Sequence, residues 1–189
     1  MTYDIILAGV GGQGVLSIAT IIARAAMVDG LSVRQSEVHG MSQRGGGVQA
    51  HLRISDRAIS SDLIPLGAAD MILAMEPVES LRYLSYLKPD GVLVTAAEPV
   101  VNIDTYPDLE TIYAAIRKLP HSRIVRAEEL AREAGNLKSV NMVLIGAASS
   151  ALPVSEAAIA QSVRETFERK DPRLVEINMK ALKLGEASK

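Results

Sequence analysis

At 189 residues and 48% hydrophobic content, the chain is sized for one ordinary domain, expected to span residues 1–189, with a full core. A net charge of −2 with no basic run argues against nucleic acid and membrane surfaces as partners, and charges interrupt every apolar stretch before it reaches spanning length. Zero cysteines exclude disulfides and iron–sulfur ligation by this chain, and His39, His51 and His121 as the only histidines argue against zinc.

Met1 to Asp4 leads directly into a strand without a basic leader, so a cytoplasmic location is expected. Tyr3 to Ala8 is a short apolar run ending at glycine, the pattern of a buried strand. A helix follows to about Val28, with Val15, Ile18, Ala19, Ile22, Ala23 and Ala26 at the spacing of one face. Gly30 ends it, and Leu31 to Ser36 forms a second strand. Strand, glycine turn, helix and strand make a βαβ unit with an expected right-handed crossover.

The alternation then breaks. Val38 to Gly47 is polar and contains four glycines. In the strand that follows, Val48, Ala50, Leu52 and Ile54 share one face, and Gln49, His51 and Arg53 the other. The polar face is expected to be solvated or at an interface. Ser55 to Arg57 reads as a turn into a partner strand near Ile59, so a hairpin is expected to interrupt the parallel order.

Met71 to Ala74 is the next strand, and Pro77 opens a helix reaching Leu87. Lys88 to Gly91 (K-P-D-G) reads as a turn before a strand over Val92 to Thr95. A helix over Leu109 to Leu119 precedes a last strand at Ile124 and Val125. Helices are expected over Glu128 to Ala134, Val140 to Leu152, Ser155 to Arg169 and Pro172 to Leu184. The last has Asp171 as cap and Gly185 as stop. The fold class is therefore α/β: a doubly wound, mostly parallel, Rossmann-like sheet with an inserted β-hairpin and a helical C-terminal segment.

Two glycine clusters carry the chemistry. Gly9, Gly11, Gly12, Gln13 and Gly14 fill G-x-G-x-x-G between a strand and a helix, where free backbone N–H groups welcome an anion. These glycines equally serve close helix–strand packing. A dinucleotide reading draws on Glu37, 23 residues after Gly14, where an acid would bind ribose hydroxyls. Against it, the strand end Arg34-Gln35-Ser36 is polar, and a second glycine loop follows instead of a helix. That loop, His39 to Gly47, offers Ser42, Gln43, Arg44, Gly45 and Gly46, a combination suited to phosphate. NAD or FAD binding and phosphometabolite sensing stay open as alternatives.

G-V-G-G-Q-G after the first strand, E-V-H-G-M-S-Q-R-G-G-G-V-Q-A-H-L-R over Glu37 to Arg53, E-P at Glu76, and V-N-M-V-L-I-G-A over Val140 to Ala147 occur in this order. Together they resemble the gamma domain of pyruvate (2-oxoacid):ferredoxin oxidoreductases, most closely the small subunits of the indolepyruvate branch. The resemblance covers nearly the whole chain. It implies a small, cofactor-free subunit that is inactive alone and contains no catalytic residue. Thiamine diphosphate, magnesium and iron–sulfur clusters would lie on a large partner that passes electrons to ferredoxin. This chain would help close the active site and bind coenzyme A as cosubstrate. The pyruvate enzymes carry a lysine pair before S-G-G in the second loop. Aligned through H-L-R, those lysines fall at Ser42 and Gln43, with Arg44 on the serine, so the positive charge is displaced here.

Overall fold

The computed structural model describes residues 1–39, 45–101, 105–168 and 171–188. Ser42, Gln43 and Arg44 of the second loop lie outside the described residues. Along the chain run β1 (Thr2–Val10), α1 (Val15–Val28), β2 (Ser32–His39), β3 (Gly47–Ser55), β4 (Ala69–Ala74), α2 (Pro77–Arg82), β5 (Leu87–Ala96), α3 (Leu109–Arg117), β6 (His121–Val125), α4 (Ala127–Ala134), α5 (Val140–Ala148), α6 (Glu156–Glu168) and α7 (Pro172–Ala187). The strands form one sheet in the order β2-β3-β1-β4-β5-β6. β1, β4, β5 and β6 are parallel, while β3 runs antiparallel between β1 and β2.

The sheet is central because β1 is apolar on both faces. Ile5 and Leu7 enter the core under α1 and α4 to α7, and Ile6 and Ala8 enter the core under α2 and α3. Helices on opposite faces leave the chain from β1 and β4, so the topological switch lies between these two strands, where open α/β sheets bind ligands. No described helix is long and apolar enough to cross a membrane.

Four expectations need correction. The hairpin precedes β3 rather than following it: β2 and β3 pair from Ser32↔Ser55 to His39↔Val48. β3 is bonded on both sides, which leaves no edge for a strand near Ile59. Segment 56–68 instead crosses the polar face of β3, and that face is not solvated. Arg53 forms a two-pronged pair with Asp4 at 2.9 and 3.0 Å and donates to the carbonyls of Ser61 and Leu63. His51 is buried, and its Nδ1 accepts the Ile64 N–H at 3.0 Å, so the ring is neutral. Burial, then the Arg53 charge, depresses its pKa.

K-P-D-G falls inside β5. Pairing with β4 moves from Ala69↔Leu87 to Met71↔Val92, so the motif's turn chemistry serves a bulge. Gly185 lies within α7 rather than ending it. A Cβ on Gly185 would stand 2.0 Å from the Val143 carbonyl, and one on Gly146 2.0 Å from that of Leu182. Close backbone approach of α5 and α7 is what these glycines permit. Asp171 caps α7 as expected, accepting the Arg173 N–H at 2.9 Å.

Candidate functional site at the switch point

The antiparallel β3 explains how two loops distant in sequence meet. Its first residue, Gly47, pairs with Val10, the last residue of β1. The loops then bond to each other: Gly11 N–H donates to the Gly46 carbonyl at 2.8 Å, and Gly45 N–H reaches the Gly11 carbonyl at 3.5 Å. Gly9, Gly11, Gly12, Gln13, Gly14, Gly45 and Gly46 therefore share one corner, at the carboxyl end of β1.

Each residue of the first loop has a distinct position. Gly9 is crowded, since a Cβ there would sit 2.9 Å from Val15 and 3.2 Å from Met75. Gly12 has φ of +103° and nothing within 4 Å of an added Cβ, and it is exposed. Gly14, at φ of +86°, caps α1 without a side-chain bond, and the first turn of α1 holds no acidic residue. Asn141, at the start of α5, donates to the Gly14 carbonyl at 3.2 Å.

Beside Gly12 lies a cleft of about 520 Å³, lined among others by Gln13, Met75, Glu98, Lys138 and Asn141. Its walls are the ends of β4 and β5 and the link from α4 to α5. Glu98 follows β5, and its Oε1 accepts the Glu128 N–H at 3.1 Å, which caps α4 from outside the helix. Burial pushes the Glu98 carboxyl above its usual range. Lys138 points its chain into the same wall, and its ammonium has no ion pair among the described residues.

Glu76 occupies the equivalent position after β4. It caps α2 by accepting the Glu79 N–H at 2.8 Å, and its Oε1 accepts from the Tyr106 hydroxyl and from the Val100 N–H. Its role is therefore structural, joining α2 to the wall of the cleft. Glu79 is buried beneath the second loop, with Oε2 2.9 Å from where a Gly47 Cβ would be. Burial holds its carboxyl above the usual range despite the Arg82 guanidinium 3.0 Å away.

Glu98 and Lys138 were not singled out from sequence. A signal existed for Glu98: Glu-Pro follows β4 at Glu76 and recurs after β5 at Glu98. Lys138 gives none, because only the fold brings the α4–α5 link to this edge. Glu37 lies on β2, opposite Ala50 of β3, which in turn pairs with Leu7 of β1. One strand thus separates it from the strand that carries the first loop. Asn178 is buried and donates to Leu174 within α7.

The sequence matches the pyruvate ferredoxin/flavodoxin oxidoreductase family over residues 4–187. It is 41% identical to indolepyruvate oxidoreductase subunit IorB of Pyrococcus horikoshii, across 97% of this chain and 94% of that one. Identity to 2-oxoglutarate synthase subunit KorC of Methanothermobacter marburgensis is 32%, across 90% of this chain and 91% of that one. The keto/oxoacid ferredoxin oxidoreductase gamma subunit of Geobacter sulfurreducens superposes with a TM-score of 0.69 at 28% identity, covering 97% of this chain and 95% of that one. The fold is also that of part of the 2-oxoglutarate:ferredoxin oxidoreductase of Magnetococcus marinus, with a TM-score of 0.78 at 23% identity; the match covers 98% of this chain and 30% of that longer one. A family match over nearly every residue, a mixed sheet shared with a gamma subunit and subunit relatives of similar length place this chain in the pyruvate ferredoxin/flavodoxin oxidoreductase family, as a small subunit of the 2-oxoacid oxidoreductases.

Proposed function

We propose that this chain serves an indolepyruvate-type 2-oxoacid:ferredoxin oxidoreductase as one gamma-type domain over residues 1–189. In this reading a large partner holds thiamine diphosphate, magnesium and iron–sulfur clusters and reduces ferredoxin. A 2-oxoacid, coenzyme A and two oxidised ferredoxins give acyl-coenzyme A, carbon dioxide, a proton and two reduced ferredoxins. The small chain closes the active site and holds coenzyme A.

The observation that carries this reading is the mutual bonding of the two glycine loops beside an open cleft. Gly12 at the mouth, the start of α1, which no side chain caps, and Lys138 opposite form a donor-rich corner suited to phosphate oxygens, with Glu98 and Glu128 also on the cleft wall. Gly9, Gly14, Gly45 and Gly46 shape that corner, and Ser42, Gln43 and Arg44 complete the second loop. The relative named IorB supports the indolepyruvate branch, and the Magnetococcus structure was determined with coenzyme A and succinyl-CoA bound.

The test is reconstitution with a large thiamine- and iron–sulfur-bearing subunit of this family. The small chain alone should be colourless and inert with any 2-oxoacid, coenzyme A and viologen dye. The assembled complex should reduce dye in a coenzyme A-dependent way and prefer arylpyruvates to pyruvate and 2-oxoglutarate. Turnover by the small chain alone, or undiminished turnover by the large subunit without it, would overturn the proposal.

A further inference from the structure

We infer that Gln13 is a positioning residue, whose carboxamide clamps the first glycine loop across the switch point and so presents Gly12 to the ligand. This rests on the coenzyme A reading above for its functional arm only.

The geometry is that of a two-sided clamp. Gln13 Oε1 accepts the Val10 N–H at 2.7 Å, and Gln13 Nε2 donates to the Met75 carbonyl at 3.0 Å. Val10 ends β1 and Met75 follows β4, so one planar group joins the two parallel strands on either side of the topological switch. The backbone reinforces it: Gln13 N–H returns to the Val10 carbonyl at 3.0 Å, and Met75 N–H bonds the Ala8 carbonyl at 2.9 Å. Gly9 makes room, since a Cβ there would lie 3.0 Å from Gln13 Oε1.

The clamp explains why a carboxamide stands here. One position must accept and its neighbour must donate, and a carboxamide supplies both from one flat group. A carboxylate offers two acceptors and would set an oxygen against the Met75 carbonyl. A neutral carboxylic acid again offers one acceptor and one donor. With both ends of the carboxamide engaged, Gln13 has one N–H left for a ligand, while Gly12 on the same loop is exposed and has no neighbour within 4 Å of its missing Cβ.

The experiment uses Gln13→Glu and Gln13→Leu, in the full chain and in the complex with the large subunit. In the ligand-free chain, hydrogen exchange at Val10 and Gly11 should speed up about tenfold or more in Gln13→Leu, as loss of the clamp frees the loop. In the complex, Gln13→Glu at neutral pH should raise the KM for coenzyme A about tenfold with the 2-oxoacid KM unchanged. As pH falls and the introduced carboxyl takes up a proton, that defect should shrink, whereas the defect of Gln13→Leu should not. A weakened coenzyme A interaction with unchanged exchange at Val10 and Gly11 would make Gln13 a direct ligand contact and overturn the clamp. A Gln13→Glu defect that does not respond to pH would overturn it as well. If the wild-type complex does not bind coenzyme A, the functional reading falls, while the exchange measurement still decides for or against the clamp.

Discussion

Gly11 and Gly46 tie the two glycine loops together through one backbone hydrogen bond of 2.8 Å. The amide that a phosphate would otherwise claim is already committed, whereas the neighbouring Gly12, which lines the cleft, donates no backbone hydrogen bond among the described residues. The two adjacent amides should therefore behave differently in the isolated chain. Gly11 should exchange with solvent roughly tenfold or more slowly than Gly12, since exchange requires its bond to open. Equal rates by NMR would mean that the loops part freely before any partner arrives.

Dinucleotides should not bind. In a nucleotide-binding βαβ unit the ribose-binding acid stands at the end of the strand next to the first. Here β3 fills that position, and Glu37 is two strand spacings from β1, roughly 10 Å. Calorimetry with NAD, NADP and FAD should show no saturable heat. Micromolar binding lost in Glu37→Ala would return the dehydrogenase reading to first place.

The Glu79 carboxyl gives a pH signature. Its side chain is 5% exposed and its partner Arg82 is 56% exposed, so the ion pair is screened and offsets little of the burial cost. The native pKa is raised above the unfolded one, so the folded state holds the proton more tightly. Stability is then greatest below the ordinary carboxyl range and falls as pH rises through the raised native value. Glu79→Gln should flatten this fall, and its melting temperature should gain on wild type as pH rises above the ordinary carboxyl range. Parallel melting curves for both proteins across that rise would show that ionised Glu79 carries no penalty.

Two glycines separate crowding from backbone conformation. Gly146→Ala would put a methyl group 2.0 Å from the Leu182 carbonyl and force α5 and α7 apart, at a cost of about 3 kcal/mol or more. Gly30→Ala meets nothing within 4 Å but keeps φ at +77°, which costs about 1–2 kcal/mol. Urea unfolding measures both. Equal losses would mean that α5 and α7 have slack that the packed geometry does not show.

The elements that were legible in the sequence carry their own periodicity. α1 shows its buried face in Val15, Ile18, Ala19 and Ile22, and the inward face of β3 alternates through Val48, Ala50, Leu52 and Ile54. Alternation defines a strand but not its neighbours, so nothing local could announce that β3 enters between β1 and β2. The same gap concealed the polar face: His51 and Arg53 look solvated until segment 56–68 folds across them. Gly185 was misread because a glycine that stops a helix and one that lets two helices touch are the same letter. In the candidate site, both loops were visible as glycine clusters. The bond between them, and the engagement of Gln13 with backbone on both sides, depend on contacts across 62 residues of chain in one case and on a strand register in the other.

β3 gives the second loop an unusual mounting. A strand paired along both edges can shift register only in steps of two and only by releasing both ladders together. At its far end, Arg53 and His51 are anchored to segment 56–68, which adds further resistance to sliding. The loop thus begins and ends on strands already locked to each other, like a hinge pinned at both plates. A partner meeting this corner finds the stem of the loop already in place. A stem held in this way loses little ordering entropy on recognition, which favours selectivity by shape over adaptation to many partners.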